Sequence, residues 1–424
     1  MREQVARSLA GPPAGVRLAL LAATLLSIAS PSSAQPTKFE DVVRNLRNPD
    51  ARIRISAVRL LREAGYSEAI VPMAPLVVDP INEIQIEAID SELAFFLVEP
   101  IPAKRRVALV LEVRSEGAAA AAFDAGPLAV WPKAAPAELI DSLLAAVDDE
   151  HKRVRVEAIY TLGVVAGATS APLADAAAAR LIKALDHYDP AVRAGAARVV
   201  GRLKVKAATD GLLKAVNDSS PAVRFAAIRA LGETREARVV PALTDQLKYY
   251  DKGEGAAAAL EALATIAQPA SLPLFVSRLQ DRDPRLRRAA VEGLARVGDK
   301  ETVSKLVFTV NQDDSTIVRA AMTYALHRHG FANYLTRMLD HLYYDDAARQ
   351  VQGYLIELGP SIISGVSPRV QDPDPGVRAR LTEVLGAIGD QSTLATLTPL
   401  KQDANREVSA AATHAIERIK MTQK

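Results

Sequence analysis

Apolar residues recur along this chain at helical spacing, and the pattern repeats. One helical stripe contains Val223, Ala226, Ala227, Ala230 and Leu231. The segment DPAVRAGAARVVGRLK from Asp189 returns 31 residues later as SPAVRFAAIRALGETR. Related segments begin at Asp283, Ser315 and Asp374. A fixed period near 31 residues predicts stacked helix pairs, each covering the apolar side of its neighbours.

An apolar residue followed by arginine marks the start of each predicted unit. Clear pairs are Ile53-Arg54, Val154-Arg155, Val192-Arg193, Val223-Arg224, Leu286-Arg287, Val318-Arg319 and Val377-Arg378. Weaker pairs are Ile84-Gln85, Gly255-Ala256, Ala348-Arg349 and Val408-Ser409. We therefore predict about eleven helix pairs, which makes the mature chain an all-α protein.

Local residue choices support a helix–turn–helix unit. Asp or Ser stands where five first helices should begin, and its side chain can accept from free backbone N–H groups: Asp189, Ser220, Asp283, Ser315 and Asp374. Proline often follows, at a position where its missing N–H costs nothing. Glycine then stands nine or twelve residues after the apolar anchor, and the later glycines predict helix ends, as at Gly298 and Gly389.

The pattern D-P-x-V-R-x-x-A-x-x-x-L-G resembles the HEAT repeat, and most closely the short HEAT-like repeats of phycobilisome lyases. The resemblance covers about residues 38–424. It implies a right-handed α-solenoid, with first helices on the convex side and second helices lining the concave side. It also implies that the repeated arginines form a stacked ladder with neighbouring acidic residues, and we interpret them as structural.

Residues 115–136 interrupt the array with an irregular, alanine-rich segment that contains Trp131, the only tryptophan. Two interpretations stay open for this insertion. Phe123 and Trp131 could fill a gap in the stack, or the insertion could project as a binding loop, because insertions in solenoids gather on one face.

The first 34 residues have the three parts of a secretory signal peptide. Arg2, Arg7 and Arg17 supply positive charge, residues 18–29 are apolar, and small residues precede a cleavage site between Ala34 and Gln35. We expect an exported protein, periplasmic or secreted, with residues 35–424 as its mature solenoid. The apolar run is too short to span a bilayer comfortably, and we expect no transmembrane segment in the mature chain.

Composition narrows the class of partner. The chain has 52 basic and 50 acidic residues and no cysteine, which excludes disulfides and thiolate metal sites. A nucleic-acid-binding protein usually carries a large basic excess. Near-neutral charge therefore favours a protein or peptide partner and argues against nucleic acid.

Candidate chemistry is sparse. The six histidines form no H-E-x-x-H motif, and His327 and His329 stand two apart, which directs them to different sides of a helix. No His-Glu dipeptide occurs, so the iron ligands of the HEAT-like deoxyhypusine hydroxylases are missing. We predict no metal, cofactor or catalytic residue. The alternative is an enzyme related to the bilin lyases or to the metal-dependent hydroxylases.

Two surface patterns could serve a partner. Three tyrosines stand at equivalent ends of second helices, each before an aspartate: Tyr188, Tyr250 and Tyr344. A second set lies two residues before the core position of successive second helices: Lys183, Lys214, Asp245, Ser277, Phe308 and Asp340. If second helices are concave, this second set follows the inner surface as a groove. Packed tyrosines and a solvated helix face are the structural alternatives.

Together these features predict an exported, non-catalytic scaffold that binds a protein or peptide through many shallow contacts over several units. The identity of the partner and the oligomeric state do not follow from the sequence.

Overall fold

The structure is a computed structural model that describes residues 38–100, 117–169 and 171–422. These residues are helical, apart from turns and one isolated antiparallel bridge between Leu97 and Val130. The α-helices are α1 Phe39–Asn45, α2 Ala51–Glu63, α3 Ile70–Met73, α4 Asn82–Ala94, α5 Ala118–Ala125, α6 Ala137–Ala146, α7 Lys152–Ala166, α8 Asp175–Lys183, α9 Pro190–Arg202, α10 Thr209–Ala215, α11 Pro221–Thr234, α12 Val240–Tyr250, α13 Gly253–Ile266, α14 Leu272–Arg278, α15 Pro284–Val297, α16 Lys300–Lys305, α17 Thr316–Arg328, α18 Tyr334–Asp340, α19 Asp345–Leu358, α20 Ile363–Val366, α21 Pro375–Ile388, α22 Leu394–Leu397 and α23 Arg406–Met421.

The helices form an α-solenoid of repeated pairs, as the sequence predicts. Eleven long first helices carry the repeat anchors: α2, α4, α7, α9, α11, α13, α15, α17, α19, α21 and α23. Shorter second helices lie between them, several of them extended by a 3₁₀ turn. The predicted signal peptide, residues 1–34 with its cleavage site at Ala34 and Gln35, lies outside the described residues.

The predicted aspartates cap the first helices, whereas Ser220 and Ser315 stand at the cap position without a side-chain cap bond. Side-chain oxygens of Asp50, Asp189 and Asp283 accept from the backbone N–H two residues on. Pro190 and Pro284 occupy the first helical position. Gly298 ends α15 in the left-handed region, at φ 90°, where glycine is favoured.

Adjacent first helices approach closely because small residues face each other. A Cβ atom added at Gly201 would lie 2.8 Å from the Cα of Ala230, and one at Gly232 would lie 2.7 Å from the Cα of Ala262. Glycine is therefore required at these contacts, and it sets a short spacing between first helices.

First helices line the inner side of the solenoid, so the expectation of concave second helices is wrong. Arg296 of α15 bonds Glu357 of α19 at 2.9 Å, and Tyr354 of α19 bonds Glu292 of α15 at 2.5 Å. These contacts pass over α17 and join units two apart. Only the concave side brings alternate units so close, and the glycine contacts between first helices give the physical reason.

The insertion packs against this inner side. Phe123 of α5 is buried against α7, while the following turn reaches α23, where Arg418 donates to the carbonyls of Leu128 and Val130. Its described residues, from Gly117, therefore fill inner space and contact first helices from both ends of the array.

Candidate interaction surfaces

The repeated arginines form a ladder along the edge where one unit passes to the next. Arg193 donates from Nη1 to the carbonyls of His187 and Tyr188, at 2.8 and 3.1 Å. Its Nε and Nη2 reach Asp218 at 2.8 and 2.9 Å. Asp218 also accepts from the backbone N–H of Ser220. Each arginine therefore joins two successive turns, and we call this side of the molecule the turn edge.

The same arrangement recurs, which confirms the predicted structural ladder. Equivalent ion pairs are Arg54–Asp79, Arg287–Asp313 and Arg378–Asp403. Arg155 makes a related pair with Asp189, which is the helix cap itself and stands two residues later in its turn. In α4, Gln85 takes the arginine position and donates to Asp149 at 2.8 Å. The acidic run at residues 148–150 thus lies in a turn and supplies a carboxylate to the ladder.

One unit differs from the predicted register. The fourth position of α19, where other first helices carry the ladder arginine, is Ala348, so the Ala348-Arg349 pairing is wrong by one residue. Asp372, the matching carboxylate, accepts instead from the Tyr343 hydroxyl and from Arg369. Arg349 lies outside the ladder and donates to the carbonyl of Asp124 at 3.1 Å.

Hydrogen bonds set the ionisation of the ladder carboxylates. The bond from Arg193 lowers the pKa of Asp218, and the bond from Arg378 lowers the pKa of Asp403. These aspartates stay ionised at neutral pH and hold the turns together; they are not proton-transfer groups.

The second set of candidate residues lies on the outer side, together with the second helices. All its members are exposed: Lys183, Lys214, Asp245, Ser277, Phe308 and Asp340. Neighbouring units join across this side through Lys214–Asp186 at 2.6 Å and Arg369–Asp340 at 3.4 Å. The set therefore follows the convex surface, and the prediction that it lines an inner groove is wrong.

The three candidate tyrosines do not share one environment. The Tyr188 side chain is 74% exposed and Tyr344 is 52% exposed. Tyr250 packs instead: Arg224 donates to its hydroxyl at 2.8 Å, and its ring lies over Gly255, where an added Cβ would be 2.4 Å away. Tyr249, its neighbour, is 78% exposed.

Phe308 is the most exposed phenylalanine of the outer side, at 77%. It stands five residues before Asp313, and Val276 stands five before Asp281; each of these aspartates accepts from the backbone N–H two residues on. Val276 and Phe308 thus occupy the same position in neighbouring units, and both are exposed. The predicted equivalence of Ser277 with Phe308 is therefore wrong by one residue.

A buried polar network on the inner side was missed by sequence reasoning. Glu292 accepts from the Tyr354 hydroxyl at 2.5 Å and from Arg296 at 3.3 Å, and Arg288 lies 3.9 Å away. The rings of Tyr324 and Tyr354 stack with centroids 4.3 Å apart. The helical spacing of Arg288, Glu292 and Arg296 was a signal in the sequence, but their partners two units away were not.

Burial shapes this network. It raises the pKa of Tyr354 well above its ordinary value and raises that of Tyr324, so both hydroxyls remain donors. Glu357 accepts from Tyr324 at 2.7 Å and from Arg296, and these bonds outweigh burial to lower its pKa. The tyrosine hydroxyls and the carboxylates of Glu292 and Glu357 are paired with each other and with Arg296.

The histidines give no metal site in the described part of the chain, where no three His, Cys, Asp or Glu residues are grouped to hold an ion. His329 Nε2 lies 3.1 Å from the carbonyl of Ala295. Burial lowers the pKa of His327. An open groove of about 490 Å³ lies between α4 and α7, lined by Glu83, Glu87, Asp90, His151 and Arg153 among others.

Among residues 38–100, 117–169 and 171–422, no helix is both long and apolar enough to cross a lipid bilayer.

Comparison with curated proteins gives no match. Two solved structures show a likeness to this chain. An engineered protein is 19% identical, with 90% of this chain and 98% of that chain covered and a TM-score of 0.39. The CpcE–CpcF complex of phycocyanin lyase from Nostoc sp. PCC7120 is 18% identical, with 60% and 90% covered and a TM-score of 0.36.

At these identities and TM-scores, neither structure indicates an activity for this chain. The match to family models is stronger. The model of HEAT repeats matches residues 178–252, 251–327 and 363–424, and that of a HEAT-like repeat matches residues 152–203. The matches agree with the stacked pairs and their ladder, and they confirm the resemblance drawn from the sequence. The chain belongs to the HEAT-repeat family, whose stacked helices are scaffolds for protein interaction.

Proposed function

We propose that this protein is an exported scaffold that binds a protein partner on the outer side and turn edge of its solenoid. The observation that carries the proposal is the exposure of large aromatic side chains there: Tyr188, Tyr249, Phe308, Tyr343 and Tyr344. Tyrosine and phenylalanine are enriched at protein interfaces because they give large contact areas.

The inner side is less suited to a partner, because the protein's own residues already fill much of it. Around α15 to α19 it holds the paired Glu292 network, and between α7 and α23 it holds the insertion. On the outer side, a partner therefore does not have to displace residues of the same chain. Exposed charges there are of both signs and partly paired, as in Lys214–Asp186, which suits a protein surface better than a nucleic acid backbone.

Export is part of the proposal and is supported by the charge, apolar run and cleavage site of residues 1–34. Expression of the full chain in a host with a secretory pathway, followed by N-terminal sequencing, tests it. A mature protein beginning at Gln35 outside the cytoplasm is expected. Full-length protein retained in the cytoplasm would contradict export and leave the outer-surface proposal open.

Site-specific photo-crosslinking tests the partner surface. A photoreactive amino acid replaces Phe308 in the full chain, and a matched control replaces Val71, which is also exposed and lies in the second helix of the first unit. We expect a discrete adduct from position 308 and none from position 71. The adduct should disappear when Tyr344 is also changed to serine.

The same adducts from both positions, or none from position 308, would contradict the assignment of this surface. Circular dichroism of each variant confirms that the fold is intact, which is expected because these side chains contribute little to the core.

A further inference from the structure

Residues 117–131 contact first helices from both ends of the array. The segment consists of α5, a turn at Gly126 with φ 85°, a 3₁₀ turn at Pro127–Ala129 and a short extended stretch that ends at Trp131. The extended stretch is tied back to the end of α4, since the Trp131 N–H donates to the carbonyl of Phe96 at 2.8 Å and the Val98 N–H donates to that of Ala129 at 2.9 Å.

One half of the contact is an anchor on α7 and α9. The ring of Phe123 is buried and lies against Gly163, where an added Cβ would be 2.7 Å from it. The Arg202 guanidinium stands 3.6 Å from the ring centroid and donates to the Phe123 carbonyl. Glu157 accepts from the Ala119 N–H at 3.2 Å. Burial and close packing make this half the stronger one.

The other half is a set of polar contacts from α19 and α23. Arg349 donates to the carbonyl of Asp124 at 3.1 Å. Arg418 donates to the carbonyls of Leu128 and Val130 at 2.9 and 2.6 Å. The Trp131 ring meets that of His414 edge-on, with centroids 5.5 Å apart.

The arginines bind this segment mainly through its backbone. Arg202, Arg349 and Arg418 all donate to main-chain carbonyls, which every peptide offers. The segment's own side chains add two aromatic contacts, Phe123 in the anchor and Trp131 beside His414, and an ion pair between Asp124 and Arg198. This is the chemistry by which a groove binds a peptide segment, with backbone bonds for affinity and ring sites for selectivity.

We propose that the inner surface between α7 and α23 is a peptide-binding site, and that residues 117–131 are its intramolecular occupant. The segment blocks the site until its contacts with α19 and α23 open. Those contacts are the releasable half, because Arg349 is exposed and Trp131 is only partly buried. Moreover, α23 packs on α21 through Gly386 and Ala415 without help from the segment.

A peptide of residues 117–131, labelled with fluorescein, tests the site in the full chain. The tethered segment competes at an effective concentration of about 1 mM, so the wild-type protein should not bind micromolar peptide. A variant with Phe123→Ala and Trp131→Ala empties both ring sites and should bind the peptide at least about tenfold more tightly. Adding Arg418→Ala should remove that gain, whereas Lys420→Ala, an exposed change on the same helix, should keep it.

Equal peptide binding by the wild-type protein and the emptied variant would overturn the proposal. If circular dichroism shows that the emptied variant does not fold, acrylamide quenching of Trp131, the only tryptophan, replaces the assay. Arg418→Ala should then raise the quenching constant about twofold by loosening the contact of Trp131 with α23, while Lys420→Ala leaves it unchanged. No difference between these two variants would also overturn it. Neither outcome bears on the outer surface.

Discussion

The turn edge and the inner side both use arginine and carboxylates, but they use them differently. At the turn edge an Arg–Asp pair returns in five of the eleven units, as Arg193–Asp218 and Arg378–Asp403 show, and it lies partly in solvent. On the inner side the Glu292 network occurs once, is buried, and joins alternate units. The repeated pair fixes the stacking of neighbours, whereas the single network fixes the curvature of one region.

Removing the centre of the inner network should have the largest effect. Glu292→Ala removes the carboxylate that accepts from the buried Tyr354 hydroxyl and from Arg296. We expect a loss of about 3–5 kcal/mol in the free energy of unfolding, measured in urea. Glu301→Ala, which breaks an exposed pair with Lys305, is the matched control and should leave the urea midpoint unchanged. A loss below 1 kcal/mol for Glu292→Ala, on the order of a single exposed pair, would contradict the buried network.

Removing one ladder arginine should cost less, because its pair is partly solvated and its neighbours remain. Arg193→Ala deletes the bonds to Asp218 and to two turn carbonyls. We expect a destabilisation of about 2–3 kcal/mol in urea unfolding. The double variant with Asp218→Ala should cost less than the sum of the two single variants, because the two side chains act through each other. Strict additivity would show that the pair is not coupled.

Close packing of first helices can be tested with a methyl group. In Gly232→Ala the new Cβ would lie 2.7 Å from the Cα of Ala262, so the two helices must separate. We expect a cost of about 1–3 kcal/mol, measured as a lower urea midpoint. Gly353→Ala in α19 is the matched control, since nothing lies within 4 Å of its added Cβ, and it should stabilise by about 0.5–1 kcal/mol. A neutral Gly232→Ala would contradict the short spacing.

The two regions should respond to pH with opposite signs. The Arg193 bond lowers the pKa of Asp218 below 3.8, so its contribution is present above that value and is lost as the pH falls through the lower folded pKa. Burial raises the pKa of Glu157 above 4.5, which outweighs its bond from Ala119, so its ionised form costs stability as the pH rises.

Urea unfolding at several pH values checks these signs. Asp218→Asn should destabilise at neutral pH, and its effect should shrink once the pH is well below 3.8. Glu157→Gln should stabilise at neutral pH and become neutral below 4.5. The same sign for both substitutions at neutral pH would contradict the contrast between the regions.

The sequence allowed the units and the ladder to be predicted, because caps, anchors and arginines recur within a single helix or turn. The side toward which the stack curves did not follow from those signals. Curvature depends on which helices approach more closely, and here Gly201 and Gly232 bring the first helices together, while second helices carry leucines such as Leu212 and Leu243 in the core. The glycines were visible in the sequence, but their consequence required the packing.

The candidate surface was predictable only in part. Phe308, Tyr188 and Tyr344 are exposed, yet Tyr250 is held by Arg224 because the ladder carboxylate of that unit is missing and its hydroxyl takes the role. The inner contacts of Arg349 and Arg418 join residues more than 200 positions apart, and no local pattern reports such a distance.

The distance from Trp131 to α23 in solution tests the inward curvature of the solenoid most directly. The chain has no cysteine, so Thr413→Cys places a single dansyl acceptor beside His414. An inward-curved solenoid predicts strong energy transfer from Trp131 in the native protein and its loss in urea. In a straight stack, nine helix-to-helix steps would separate α4 from α23 by about 80 Å. Native transfer no greater than that of the unfolded chain would contradict first helices on the inner side.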